Sequence, residues 1–231
     1  MKKLGLIGGT GPESTIEYYK GIEYGVQQRS GRCFFPNLTI ESLSVFDVLS
    51  FCERQDDTGL TEYLLKGVQN LAAAGAEYAV LTGITPHIVF DELAASSPIP
   101  LISMVDTARD HAAVCGYKKI CLLGTLPTMN GAFFQTSFER RGIEVVTPNE
   151  KEKQYIGAKI ETELEFGKVL PETQQTFRKI VERIIQEEKV QAVVLGCTEL
   201  PLVFRDMELS VPYIDVMQIH IGALIQMILE E

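Results

Sequence analysis

Five cysteines, Cys33, Cys52, Cys115, Cys121 and Cys197, and three histidines, His87, His111 and His220, are the side chains of this chain best suited to proton transfer or nucleophilic attack at neutral pH. Four of the cysteines have no chemical context, and a lone cysteine usually behaves as a small buried hydrophobe. Cys197 differs. It closes the apolar run Ala192 to Leu195, follows Gly196 and precedes Thr198-Glu199. At the carboxyl end of a parallel strand, loops turn backbone N–H groups and short side chains toward a ligand. A thiol just before a helix is expected to have its pKa lowered from about 8.5, because oriented amides favour the thiolate. Cys197 is therefore expected to work as a base near neutral pH, with Thr198-Glu199 capping the next helical turn. His87 lies four residues after Gly83, where it either reaches a crevice edge or hydrogen-bonds backbone at a helix start. The histidines are too scattered for a zinc site, the cysteines lack C-x-x-C spacing, and no Ser/His/Asp nucleophile elbow is present. The expected chemistry is thiol-based and metal-free.

Two further segments could meet a ligand. Gly8-Gly9-Thr10-Gly11 could cradle an anion, but Glu13 breaks the strict dinucleotide fingerprint and no Gly-Lys-Ser/Thr follows to make a phosphate loop. The alternative is a tight strand-to-helix turn that Ser14 or Thr15 helps to cap. In the second half of the chain, Thr125 and Thr128 offer hydroxyls to a carboxylate or serve as caps.

The elements that must position these residues recur. Leu4 to Ile7 closed by Gly8-Gly9-Thr10 is echoed by Ile120 to Leu123 closed by Gly124-Thr125, a shift of 116. Ala79 to Thr85 aligns with Val193 to Glu199 at a shift of 114, and Ile99 to Ser103 with Val211 to Asp215 at a shift of 112. Three echoes in one order point to a duplicated unit, and the second places Gly83 at the position of Cys197. With Leu38 to Glu41 and Ile143 to Val146 as the remaining strands, each half alternates strands with helices, which implies parallel sheets flanked by helices. The expected architecture is α/β, with two pseudo-symmetric lobes and a ligand site between them. Residues 1–100 plus 216–231 would form the first lobe and 101–215 the second.

The formal net charge of -10 disfavours a nucleic-acid partner. No apolar window approaches the roughly 20 residues that span a bilayer, and the odd, scattered cysteines fit a reduced, cytoplasmic setting.

Taken together, Leu6-Ile7-Gly8-Gly9 with Glu13-Ser14-Thr15, Thr85-Pro86-His87, Leu123-Gly124-Thr125 and Gly196-Cys197-Thr198-Glu199 resemble the cofactor-independent aspartate/glutamate racemases over essentially the whole chain. The resemblance implies a PLP-independent isomerase without cofactor or metal, acting on a small amino acid or dicarboxylic acid as a homodimer. In that family each lobe presents one cysteine; one thiolate removes the α-proton and the opposite thiol returns a proton to the other face. It implies Cys197 as the catalytic residue and Gly9, Thr10, Gly83, Ile84, Thr85, Thr125, Thr128, Thr198 and Glu199 around the substrate. The family's first motif is close to Cys-Asn-Thr-x-His, whereas this chain reads Gly83-Ile84-Thr85-Pro86-His87. Glycine carries no proton, and Ile84 replaces an amide. A glycine facing a single cysteine also looks like arylmalonate decarboxylase, which protonates from one side, and a small-carboxylate binding protein without catalysis is the remaining alternative.

Overall fold

Strand-length runs buried at every position, such as Leu4–Gly8 and Ala192–Gly196, need a cover on both faces, which parallel sheets with helices on either side supply. The computed structural model, which describes residues 2–230, contains two such sheets. In chain order the first half comprises β1 (Leu4–Gly8), α1 (Pro12–Ser30), β2 (Leu38–Ser42), α2 (Val45–Glu53), α3 (Asp57–Ala73), β3 (Tyr78–Leu81), a 3₁₀ turn (Thr85–Val89), α4 (Phe90–Ser96), β4 (Leu101–Ile102) and α5 (Met104–Val114). The second comprises β5 (Lys119–Gly124), α6 (Leu126–Asn130), α7 (Ala132–Glu139), β6 (Glu144–Val146), α8 (Glu150–Thr162), a 3₁₀ turn (Leu164–Phe166), α9 (Pro171–Glu188), β7 (Ala192–Gly196), α10 (Leu200–Phe204), β8 (Tyr213–Asp215) and α11 (Val216–Glu230).

The first sheet has the order β2-β1-β3-β4 and the second β6-β5-β7-β8, all neighbours parallel. The same order twice, at the shifts read from the sequence, makes the second half a topological copy of the first. The chain forms two compact units, one holding the chain up to Thr107 and from Met217 onward, the other Ala108–Val216. α5 thus leads out of the first unit and α11 returns to it.

In the first unit α11 lies against α1. The Tyr18 hydroxyl meets His220 Nδ1 at 2.7 Å, and a methyl group added at Gly21 would sit 3.1 Å from the Ile221 side chain. A larger residue there would press on the Ile221 side chain, so glycine lets the helices approach without displacing it. Ile7, Leu64, Val68, Ala79 and Leu93 form much of this unit's core. In the second unit Cys121, Leu123, Phe177, Val193, Leu195 and Phe204 pack together, and Cys197 belongs to the same cluster. Gly124 pairs with Gly196 at the ends of β5 and β7, and a side chain on either would meet backbone carbonyl oxygen at 2.9 Å or less. Among the described residues no helix is long and apolar enough to cross a membrane.

Candidate active site

In the second unit, β7 stops at Gly196 and the chain turns sharply through Cys197, Thr198 and Glu199 before Leu200 opens α10, whose Pro201 suits a first helical turn. The Cys197 thiol donates to Glu199 Oε2 over 2.9 Å, and the Thr198 hydroxyl donates to the same oxygen over 2.8 Å. Cys197 and Glu199 are both buried. Glu199 occupies the N-cap position of α10 but makes no side-chain capping bond, because its carboxylate is turned to the thiol and hydroxyl instead.

This geometry reverses one expectation. The Cys197 thiol is pushed well above the ordinary thiol value, first by burial and then by the negative charge and hydrogen bond of Glu199; the Glu199 backbone N–H opposes this weakly, and Glu165 adds to it. α10 has five residues, too few to offer a dipole that could outweigh a carboxylate in direct contact. The resting group is a protonated thiol hydrogen-bonded to the Glu199 side chain, not a free thiolate. Sequence reasoning missed Glu165. It lies in the acidic run Glu161-Thr162-Glu163-Leu164-Glu165, and spacing did not distinguish it from a solvated helix end. Burial and the charge of Glu199 raise its carboxyl to about 7.

Thr125 and Thr128 stand at the end of β5. Thr125 is the N-cap of α6, accepting from the Thr128 N–H at 3.4 Å, and the two hydroxyls are 3.0 Å apart. The capping role weighed from the sequence is realised here.

In the first unit, β1 ends in a turn that needs glycine twice, Gly9 at φ 76° and Gly11 at φ 135°. The Gly9 N–H donates to Thr15 Oγ1 over 2.9 Å, so the turn itself uses this amide. Ser14 and Thr15 donate their hydroxyls back to the Gly11 carbonyl at 2.8 and 2.9 Å, and neither caps a free N–H of α1. Thr10 is buried, and its hydroxyl has no hydrogen-bond partner among the described residues. It lies against Gly83, where a Cβ would meet the Thr10 carbonyl oxygen and Oγ1 at 3.0 Å each. Ile84 is buried, and Thr85 opens the 3₁₀ turn.

His87 does not point to a ligand. Its Nε2 accepts from the Met104 N–H at 3.2 Å, which leaves the proton on Nδ1 to donate to the Gly83 carbonyl at 3.0 Å. The ring stacks on Phe90 with centroids 5.1 Å apart. Burial lowers its pKa to about 4, so it is a neutral latch between the loop after β3 and the start of α5. Of the two readings open at the sequence level, backbone hydrogen bonding is the one found. No group of three or more His, Cys, Asp or Glu side chains among the described residues is placed to hold a metal ion.

The two strand ends correspond in topology: Gly83 follows β3 as Cys197 follows β7. A duplicated four-stranded unit with a Gly-Cys-Thr-Glu turn after its third strand is matched, over residues 7–224, by the family described as Asp/Glu/Hydantoin racemase. The chain belongs to that family. A broad specificity amino-acid racemase of Bacillus subtilis, RacX, is 24% identical over 222 residues, 92% of each protein. Among solved structures, an aspartate racemase homologue from Pyrococcus horikoshii is 34% identical, with a TM-score of 0.85 over 99% of both chains. A Yersinia pestis protein described as a candidate Asp/Glu racemase is 31% identical, with a TM-score of 0.91 over 99% of this chain and 100% of that one. The racemases of this family are isomerases, and the chain belongs with them by sequence and by fold.

Proposed function

We propose that the protein is a cofactor-independent amino-acid racemase in which Cys197 is the proton carrier, Glu199 is its proton acceptor and Gly83 stands where a second cysteine would act. The carrying observation is the 2.9 Å contact from the Cys197 thiol to Glu199, with Thr198 on the same oxygen. The thiol proton passes to Glu199 as the sulfur takes the substrate's α-proton, and the carbanion then recovers a proton from the same thiol. No net charge is created, and while the carbanion persists the S–H and Glu199 trade protons with each other and with water, so the hydrogen that returns to Cα is solvent-derived. Thr125, Thr128, Thr198 and the loop Gly83-Ile84-Thr85 supply the hydroxyls and amides that orient the substrate. We further propose that the enzyme works as a cytoplasmic homodimer.

With a single thiol, return to the original face outpaces delivery to the other. In deuterated water, exchange of the α-proton of one enantiomer should therefore run faster than inversion, measured by NMR and chiral chromatography on a panel of amino acids. Cys197→Ser should abolish both. Exchange that survives this substitution, or no exchange with any amino acid, overturns the proposal.

Gly83 and the protonated Cys197 also favour a second reading. In a one-sided decarboxylase of the arylmalonate type, a C–C bond breaks, CO₂ leaves and the Cys197 S–H protonates the carbanion. Release of CO₂ from a disubstituted malonate, without exchange of any amino acid, would select it.

A further inference from the structure

The 3₁₀ turn after α8 packs Leu164 into the apolar cluster that holds Cys197, and its surroundings hold the adjacent residue, Glu165, in place. On one side of it, the Glu163 side chain pairs with Lys159 and accepts from Thr173 Oγ1 at 2.7 Å, while its carbonyl accepts from the N–H groups of Phe166 and Lys168. On the other, Gly167 closes the turn at φ 66° and donates to the Leu164 carbonyl over 2.8 Å. Leu164 itself is 1% exposed, in the apolar cluster that contains Cys197 and Leu200. Glu165 is thus fixed between two anchored neighbours, while its own half-buried carboxyl has no hydrogen-bond or ion-pair partner among the described residues. The charge of Glu199 acts on it, and its charge acts on Cys197. No Lys or Arg occurs in any of the segments assigned to the substrate, Gly8 to Thr15, Gly83 to His87, Gly124 to Thr128 and Gly196 to Glu199.

We infer that Glu165 sets the substrate class, favouring amino acids whose side chain ends in an ammonium or guanidinium group over dicarboxylic amino acids. The inference rests on the racemase reading above. A half-buried carboxyl group without a partner has lost part of its hydration, and a cationic side chain favours its charged form and restores the missing interaction. The side chain of aspartate or glutamate would add a further negative charge beside Glu165 and Glu199 with no cation in those segments to offset it.

The test compares lysine, methionine and glutamate as substrates for α-proton exchange, with calorimetric binding of each, in the wild type and in Glu165→Gln, which keeps the size and removes the charge. The wild type should prefer lysine to glutamate by about 10- to 100-fold in kcat/KM, the range expected for one partly buried charge contact. In the variant that ratio should collapse by about the same factor, and the lysine-to-methionine ratio should fall with it. Equal losses for all three substrates would place Glu165 on the shared α-amino group and overturn the inference, as would a wild type that prefers glutamate. Either result would leave the racemase reading standing, provided exchange still depends on Cys197. Absence of exchange with every amino acid would remove both, and calorimetry would then show no preference for lysine.

Discussion

The two buried histidines of the first unit should make it acid-sensitive in a calculable way. Burial is the first cause of both depressed pKa values, about 4 for His87 and about 3 for His220, where the neighbouring His87 also contributes. An unfolded histidine titrates near 6.5. Between these limits the unfolded chain binds more protons than the folded one, so stability is present above about pH 6.5 and is lost as pH falls toward the folded values. At pH 5 each histidine should cost about 2 kcal/mol, close to 4 kcal/mol together, which is a large share of the roughly 5–15 kcal/mol that holds a typical domain. Urea denaturation at pH 7.5 and pH 5.0 reads this directly. His87→Gln and His220→Gln should each be less stable than the wild type at pH 7.5, because Gly83, Met104 and Tyr18 lose well-placed partners. Each should nevertheless lose about 2 kcal/mol less than the wild type between the two pH values. If the variants show the same pH-dependent loss as the wild type, these histidines are not held neutral by burial and the argument fails.

The remaining predictions concern the thiol and the glycine. Glu199→Gln should lower the Cys197 pKa by removing the adjacent negative charge, so alkylation at alkaline pH speeds up while α-proton exchange falls by about 10²- to 10⁴-fold; changes in the same direction would deny Glu199 its role as proton acceptor. In the wild type, exposed Cys33 and Cys115 should react with iodoacetamide before buried Cys197, which peptide mapping can order, and early labelling of Cys197 would contradict its burial. Gly83→Cys should raise inversion relative to exchange by up to about 10²- to 10⁴-fold, but only if Thr10 yields, because the new Cβ meets it at 3.0 Å. Thr10→Ala removes the Oγ1 contact and leaves the backbone carbonyl contact. Gly83→Cys combined with Thr10→Ala should therefore outperform the single variant without removing all of the crowding, and normal substrate binding with exchange but no gain in inversion in both would show that position 83 is not the missing carrier's place.

Much of this was legible in the sequence because parallel strands buried on both faces leave unbroken apolar runs that end in glycine. All eight strands fall within the runs read for them or within a residue or two of them, and the shifts of 116 and 114 pair β1 with β5 and β3 with β7. β4 and β8 are shorter than the runs that announced them. Pro100 and Pro212 have no N–H for the ladder, although their carbonyls still accept from Ala79 and Val193 at 2.9 and 3.0 Å. The direction of the Cys197 shift was not legible. It depends on the side-chain conformation of Glu199 and on burial, neither of which follows from a neighbour two residues away. The Tyr18–His220 contact joins positions 202 residues apart, and no local pattern announces it.

The route of the chain through the two units bears on how the protein is made. Residues 108–216 form one uninterrupted stretch, so the second unit has all of its sequence once that stretch has left the ribosome. The first unit is begun earlier and finished later: α1 waits with its buried face, including Tyr18, Ile22 and Val26, until α11 is synthesised more than a hundred residues afterwards. During that interval the half synthesised first is the one with exposed apolar surface, which makes it the more prone to aggregation and the part on which chaperones would act.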